Sequence, residues 1–248
     1  VAQQPNQQKA KAIELLVDVY QREQDWRKAL EAGDVAKVSV SIDLAQRLSH
    51  FCCELAEEAL QSSQESDCLA YLKRAKRHNA DNPRVSFLRA KLSMQQNNYL
   101  DAKRHLLVMV QKDLQLVPEI IDPLYLCFSK LEDIDGWRAW LNQGMSQHPS
   151  TSLLLAQAQE IGLQDDSSAA AYMTEKLRQR PSLKGFNYLI DLHMQWASES
   201  AKDSLQVLKG LTVALQNSKP LYRCRQCGFA GNSMHWQCPR CHQWDTTK

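Results

Sequence analysis

The sequence predicts an all-α protein, an array of helical hairpins, that ends in a small metal-binding segment. The chain of 248 residues contains only eight Gly and eight Pro, which favours long helices over strands and turns. Apolar residues recur at the helical spacing i, i+3, i+4, i+7 through most of the chain. Two Cys-x2-Cys pairs then stand close to the C-terminus. We therefore expect a helical array over residues 1–216, a linker at 217–220 and a metal-binding knot at 221–248.

The first hairpin is indicated by a helix over residues 9–24 and a second helix that follows a short break. The apolar stripe of the first helix consists of Ile13, Leu16, Val17 and Tyr20. An acidic and aromatic pair, Asp25-Trp26, then interrupts the pattern, and Ala29 and Leu30 continue it. Two successive amphipathic helices with a break of this length predict a helical hairpin.

This unit recurs with a period of 34 residues. Small and apolar residues repeat in phase at Ala56 and Ala90, at Cys68 and Ala102, and at Leu72 and Leu106. The first unit fits after an insertion of a few residues around 38–42, and prolines mark unit ends at Pro83, Pro149 and Pro181. The arrangement resembles the tetratricopeptide repeat, although the Trp-x2-Leu-Gly signature of that repeat is missing from every unit. We expect six hairpins.

Such an array predicts a binding scaffold, because each hairpin buries its apolar face only by stacking on its neighbours. The stack curves into a superhelix with an extended concave surface, and such surfaces bind proteins or peptides. The linker at 217–220 is short, so we expect the C-terminal knot to fold back and cap the last hairpin.

The knot carries the most specific chemical signal in the chain. The pairs Cys224/Cys227 and Cys238/Cys241 stand ten residues apart, which is the spacing of a tetrahedral four-thiolate metal site. A segment of this size cannot fold by hydrophobic burial alone, and structural zinc supplies about 10 to 16 kcal/mol of apparent binding free energy. We expect an aromatic cluster over the sulfurs, formed by Tyr222, Phe229, Trp236 and Trp244.

Zinc and iron both suit four thiolates, and zinc is the expected metal. The segments Tyr-x-Cys-x2-Cys-Gly-Phe and Cys-Pro-x-Cys resemble the two knuckles of rubredoxin, which favours iron. However, His242 stands where rubredoxin has a second Gly, and the gap between the pairs is short. Because four thiolates fill a tetrahedron, His235 and His242 are expected beside the metal rather than on it.

The composition argues against several function classes. The net charge of +2 provides no global field for nucleic acid, and Arg223, Arg225 and Arg240 of the knot neutralise only a few phosphates, so no nucleic acid is expected. No phosphate loop or catalytic constellation is present, and we predict no enzymatic activity. The remaining cysteines (Cys52, Cys53, Cys68 and Cys127) lie in apolar helical patterns, which indicates buried thiols in a reducing, cytosolic compartment.

The whole chain resembles the lipopolysaccharide assembly protein B family of gamma-proteobacteria. The resemblance rests on four segments: Trp26-Arg27-Lys28-Ala29, Phe51-Cys52-Cys53-Glu54-Leu55-Ala56, Asn82-Pro83-Arg84-Val85-Ser86 and Tyr222-Arg223-Cys224-Arg225-Gln226-Cys227-Gly228-Phe229. It implies repeats and a metal knot on the cytoplasmic face of the inner membrane, held there by an N-terminal helix that this chain lacks. The membrane is expected to be reached only through that anchor.

The resemblance also implies a function. The family acts as a non-enzymatic adaptor that presents the deacetylase of the lipid A pathway to the membrane protease FtsH, alongside other lipopolysaccharide assembly proteins. A homodimer is compatible with this role. The family's metal ligands correspond to Cys224, Cys227, Cys238 and Cys241. The alternative that the residues leave open is a redox-sensing or electron-transfer protein with iron in the four-cysteine site.

Overall fold

The computed structural model describes residues 4–35 and 41–247, and this part of the chain is almost entirely helical. The predicted insertion around 38–42 falls mostly outside the described residues. The helices are α1 (Gln4–Arg22), α2 (Trp26–Asp34), α3 (Ile42–Gln61), α4 (Glu65–His78), α5 (Pro83–Gln95), α6 (Tyr99–Lys112), α7 (Val117–Lys130), α8 (Ile134–Gln147), α9 (Thr151–Gly162), α10 (Asp166–Gln179), α11 (Leu183–Trp196) and α12 (Glu199–Asn217). A 3-10 turn (Leu114–Leu116) precedes α7, and the short strands β1 (Tyr222–Arg223) and β2 (Ala230–Gly231) follow α12.

Consecutive helices pack in pairs, α1 with α2 through α11 with α12, and so form the six expected hairpins. The fold class predicted from the sequence, a tetratricopeptide-type hairpin array with a C-terminal knot, is confirmed. None of the helices in the described ranges combines the length and the apolar character needed to cross a bilayer.

Local side-chain chemistry sets where the helices begin. A capping oxygen accepts a hydrogen bond from a backbone N–H of the first turn, which satisfies a donor that has no partner within the helix. Eight helices start in this way, with caps at Asp25, Ser41, Asn82, Asn98, Asp133, Ser150, Asp165 and Ser182. Asp25 is therefore the cap of α2, as the break in the apolar pattern indicated.

The turns inside the first four hairpins share one backbone conformation. Gln24, Ser63, Asn97 and Glu132 each precede the second helix of a hairpin and have φ between 55° and 58°. Ser63 and Asn97 are separated by one repeat period of 34 residues. A left-handed residue reverses the chain within few residues, and non-glycine side chains adopt this conformation at some energetic cost.

The chain forms two compact units. One comprises the residues up to Leu116 together with His242–Trp244, and the other comprises residues from Val117 to Cys241 and from Asp245 onward. The core of the first unit is continuous from Val17 to Leu92, and Trp244 packs against it. A core of the second unit extends from Leu154 to Leu192.

A buried arginine joins α3 to α5 in the first unit. Arg84 is only 2% exposed, and its guanidinium lies 2.6 Å from a carboxylate oxygen of Glu54 and 2.8 Å from one of Glu57. A buried charge requires such partners. Two carboxylates on α3 therefore fix the position of α5.

The four cysteines outside the knot are buried thiols. Cys52, Cys53, Cys68 and Cys127 all have 0% relative exposure. Burial raises the pKa of the Cys52 thiol to about 12. These side chains therefore behave as small apolar residues of the helical core, as their sequence context predicted.

Candidate metal centre

The backbone of the knot holds its first cysteine pair in a tight loop. Strands β1 and β2 pair antiparallel with Arg223 opposite Ala230, and the Cys224 N–H donates to the Phe229 carbonyl at 2.7 Å. The Gly228 N–H returns to the Cys224 carbonyl at 3.0 Å and closes a turn around the pair. The loop thereby brings Cys224 and Cys227 to the same side of the hairpin.

The residue after each cysteine pair has a left-handed backbone conformation. Gly228 follows the first pair and has φ of 73°, and His242 follows the second and has φ of 57°. Glycine adopts a left-handed conformation without steric cost, whereas histidine does so with some strain. The replacement of a second glycine by His242 therefore preserves the turn, and this local conformation could not be assigned from the sequence.

The structure brings all four predicted cysteines together. Their Sγ atoms lie within 4.8 Å of one another, with Cys224 and Cys241 3.7 Å apart and Cys227 and Cys238 also 3.7 Å apart. A tetrahedron with metal–sulfur bonds of about 2.3 Å has sulfur–sulfur edges of roughly 3.8 Å. The four sulfurs are therefore positioned to bind one metal ion.

The immediate surroundings of Cys224 favour its thiolate. The Cys224 Sγ lies 3.2 Å from the Thr246 hydroxyl oxygen, and the side chain is almost fully buried. Burial alone raises the pKa of a thiol, but hydrogen bonds from Thr246 and from the backbone N–H groups of Cys227 and Gln226 lower the pKa of Cys224 to about 6. Because metals bind the thiolate form, this environment prepares the ligand.

The two histidines of the knot occupy other positions. The group of metal-ligating side chains found within the described residues consists of the four cysteines alone. His235 Nε2 lies 3.0 Å from the Ser233 hydroxyl, and its ring meets Phe229 edge-on. The His242 side chain is exposed. Both placements agree with the expectation that these residues lie beside the metal position.

Trp244 does not join an aromatic cluster over the sulfurs, contrary to the expectation. Its indole stacks on His50 with ring centroids 4.6 Å apart and nearly parallel planes, and it contacts Trp26 and Phe51 edge-on. These partners belong to α2 and α3 of the first unit. A buried aromatic surface on these helices provides more contact area for an indole than the small knot does.

Gln21 fixes this segment through both ends of its side-chain amide. Its Nε2 donates to the His242 carbonyl at 3.0 Å, and its Oε1 accepts from Trp244 Nε1 at 3.4 Å and from Arg47 Nε at 3.0 Å. Gln21 is 8% exposed, so these bonds form away from bulk water. Gln21 was not predicted, because a polar residue at the end of an otherwise ordinary amphipathic helix gives no signal.

The start of the knot is held in the second unit. The Tyr222 hydroxyl donates to the Glu119 carboxylate of α7, and burial together with this bond raises the pKa of Tyr222 above its usual range. In contrast, no residue of α12 is buried. The expectation that the knot caps the last hairpin is therefore not met, because the contacts of Tyr222 lie on α7.

Both the metal-binding segment and the chain as a whole are similar to known proteins. Residues 222–248 match the family described as rubredoxin metal binding domain. Lipopolysaccharide assembly protein B of Escherichia coli K12 is 31% identical over 242 residues, which are 96% of this chain and 61% of that protein. The protein of the same name from Haemophilus influenzae is 28% identical over 244 residues, which are 96% of this chain and 60% of that protein. The chain thus spans about three fifths of the length of these curated relatives.

Two solved structures match the chain at low sequence identity. One comes from a functional characterization of Pseudomonas aeruginosa pilF, with 16% identity, coverage of 86% of this chain and 94% of that chain, and a TM-score of 0.45. The other is a thermophilic TPR protein of Thermus thermophilus, with 12% identity, coverage of 83% and 99%, and a TM-score of 0.36. The resemblance inferred from the sequence is confirmed: the chain is similar over nearly its whole length to lipopolysaccharide assembly protein B, and its C-terminus matches a rubredoxin-type metal-binding domain.

Proposed function

We propose that this chain is the binding portion of a non-enzymatic adaptor in lipopolysaccharide biosynthesis. The observation that carries the proposal is the similarity to lipopolysaccharide assembly protein B, which extends over 96% of the chain and includes both the hairpin array and the knot. A relative that shares only a repeat architecture would not also share this terminal segment. The combination therefore argues for a common role.

The site chemistry supports a scaffold. Four thiolates at Cys224, Cys227, Cys238 and Cys241 complete a tetrahedron, so a bound metal keeps no position for a substrate. We assign these residues as the ligands of one structural zinc ion. When bound, zinc supplies folding free energy to the knot, while the chain's own strands and left-handed turns orient the sulfurs.

The second part of the proposal names the proteins that the adaptor binds. The adaptor brings the deacetylase of the lipid A pathway to the membrane protease FtsH, and it does so at the cytoplasmic face of the inner membrane. Exposed surfaces of the hairpin array bind these proteins. Support for this step comes from the sequence resemblance, and the six helical hairpins offer exposed helical surface of the kind that binds proteins.

The experiment is a pull-down from membranes with the tagged protein, read for FtsH and the deacetylase and paired with metal analysis. We expect both partners to be captured, with one zinc per chain. The variant Cys227→Ser with Cys241→Ser should lose the metal and most of the capture. Arg240→Ser, which lies between the second pair and keeps all four thiols, should retain both.

Different results would contradict the adaptor role and the assignment of a structural zinc ion. Capture of neither partner by the zinc-loaded protein would contradict the adaptor role. Undiminished capture by the double cysteine variant would show that the knot is dispensable for it. Iron in place of zinc, with partner affinity that changes on reduction, would replace the structural assignment with a redox-sensing one.

A further inference from the structure

Helices α4 and α6 turn equivalent surfaces outward in the first unit. Cys68 and Leu72 of α4 are 0% exposed, and their counterparts one repeat later, Ala102 and Leu106 of α6, are 0% and 1% exposed. Because both helices bury the same phase of the repeat against their hairpin partners, the opposite sides of both face solvent in the same direction. We name these two outer sides together the outer basic face.

The outer basic face combines cations with exposed aliphatic side chains. It consists of Lys73, Lys76 and Arg77 from α4 and of Leu100, Arg104 and Val108 from α6. The three α4 cations are exposed, Leu100 is 46% exposed and Val108 is 39% exposed. Exposed side chains of both kinds on one face are typical of surfaces that meet a lipid headgroup layer.

The charges of this face are not neutralised by the fold. Within the described ranges, Lys73, Lys76 and Arg77 form no ion pair, and Arg104 contacts only Asp101 at 3.2 Å. That pair is exposed on both sides, and such pairs contribute little. Lys76 and Arg77 lie in the last turn of α4, where the helix dipole favours cations, but Lys73 and Arg104 lie outside any last turn. Helix stability alone therefore does not account for the face.

Two half-buried histidines report the positive potential near the face. Burial is the main cause that lowers the pKa of His105. The neighbouring Arg89 and Lys76 lower this pKa further, whereas Asp101 raises it. Burial likewise lowers the pKa of His78, and Arg74 and Arg77 lower it further, while Asp34 raises it. Cations of α4 thus lie near both imidazoles, and Arg89 of α5 lies near that of His105.

We propose that the outer basic face binds an anionic phospholipid surface. The aliphatic side chains favour this partner over nucleic acid, because single strands are bound by aromatic stacking and duplexes by larger sets of phosphate contacts. The face extends the expectations from the sequence, in which the membrane is reached only through an N-terminal anchor. It is also independent of the proposed adaptor role.

The test is co-flotation of the zinc-loaded chain with vesicles at low ionic strength. Vesicles of equal parts phosphatidylcholine and phosphatidylglycerol should carry the protein, and pure phosphatidylcholine should not. Exchanging Lys73→Glu with Arg77→Glu should weaken binding about tenfold or more, since each basic residue near an anionic surface contributes substantially to binding. Raising NaCl to about 0.5 M should release the protein because the charges are screened.

The matched control is Lys130→Glu with Lys184→Glu, which changes the net charge equally at exposed positions elsewhere. It should bind within about twofold of the wild type. Leu100→Ser with Val108→Ser should weaken vesicle binding without a change of charge. All variants should keep the wild-type circular dichroism and melt within a few degrees of the wild type, because the altered side chains are solvent-exposed and a reversed charge in the last turn of α4 or α7 costs at most about 1 kcal/mol.

Three outcomes would overturn the proposal. Equal binding to neutral and anionic vesicles would remove the electrostatic basis, and an equal loss in the control variant would show that only net charge matters. Binding to a generic DNA duplex that Lys73→Glu with Arg77→Glu abolishes, with no binding to vesicles, would assign the face to nucleic acid instead.

Discussion

Gln21 and Trp244 link parts of the chain that are separated by more than 200 positions. The amide of Gln21 has bonds to the His242 carbonyl, to Trp244 and to Arg47, while the Trp244 indole covers His50 and Trp26. Removal of either side chain would leave polar groups without partners or would open apolar surface. These two residues therefore hold the segment His242–Trp244 on α1, α2 and α3.

Substitution Trp244→Ala should destabilise the first unit by about 2–4 kcal/mol, because a large and mostly apolar contact is lost. Urea unfolding followed by helical circular dichroism measures this change. Trp196→Ala is the matched control, since Trp196 is 47% exposed and its loss should cost less than about 1 kcal/mol. Equal effects of the two substitutions would contradict the role assigned to Trp244.

His242 holds the second cysteine turn in a left-handed conformation. His242→Gly should stabilise the knot by about 1 kcal/mol, because glycine adopts this φ without steric cost and the carbonyl that Gln21 binds is retained. Resistance of the metal site to a chelator is the readout. Arg240→Gly should bring no gain. A site weakened by His242→Gly would contradict this prediction and would give the imidazole itself a supporting role.

Cys52 makes stability depend on alkaline pH. Its pKa is raised from 9.0 to about 12 by burial, so the folded state holds the thiol proton more tightly than the unfolded state does. The resulting stability is complete below pH 9 and is lost as pH rises from 9 towards 12. The urea midpoint of the wild type should therefore fall more steeply above pH 9 than that of Cys52→Ala. Parallel pH profiles would contradict this account.

At the scale of the elements, the turns of the first four hairpins repeat one backbone conformation. The second helix in each of the first four hairpins follows a residue with positive φ, and three of those four helices have a side-chain cap directly after it. None of the four left-handed residues is glycine. The backbone at these positions is therefore mildly strained, and the strain is offset by the packing of each hairpin.

Ser63→Gly should raise the stability of the array by about 0.5–1 kcal/mol, because the φ of Ser63 is 57°. Ser62→Gly is the neighbouring control: Ser62 has φ of −86°, so the added backbone entropy of glycine should lower stability slightly. Thermal melts of the two variants compare the effects directly. The prediction fails if Ser63→Gly melts at or below the temperature of Ser62→Gly.

Most of the hairpin array could be predicted from the sequence because helical periodicity, caps and the repeat period are local signals. The pairs Cys68/Ala102 and Leu72/Leu106 indeed occupy equivalent buried positions. Three of the left-handed turns were missed because Gln, Ser and Glu carry no conspicuous turn signal; Asn97 alone is of a residue type that favours this conformation. The start of α1 was also placed late, since the polar residues before Lys9 show no apolar stripe although Gln4 already lies in the helix.

At the scale of the whole molecule, the four cysteines were predicted and the structure brings their sulfurs together, because two Cys-x2-Cys pairs constrain the chain locally. The contacts of Trp244 could not be predicted, since the partners of an aromatic residue depend on tertiary packing rather than on its neighbours in sequence. The same applies to the Tyr222–Glu119 bond. The local sequence thus determines the cysteine site, whereas the contacts of Trp244 and Tyr222 depend on the tertiary structure.

The adaptor role can be tested directly with purified components. If this protein presents the deacetylase to FtsH, purified FtsH in proteoliposomes should degrade the deacetylase several-fold faster when the zinc-loaded protein is present than when it is absent. The measurement is the half-life of the deacetylase with and without the protein, with a generic FtsH substrate as control. Faster loss of the deacetylase alone is the predicted result, and an unchanged half-life would contradict the account.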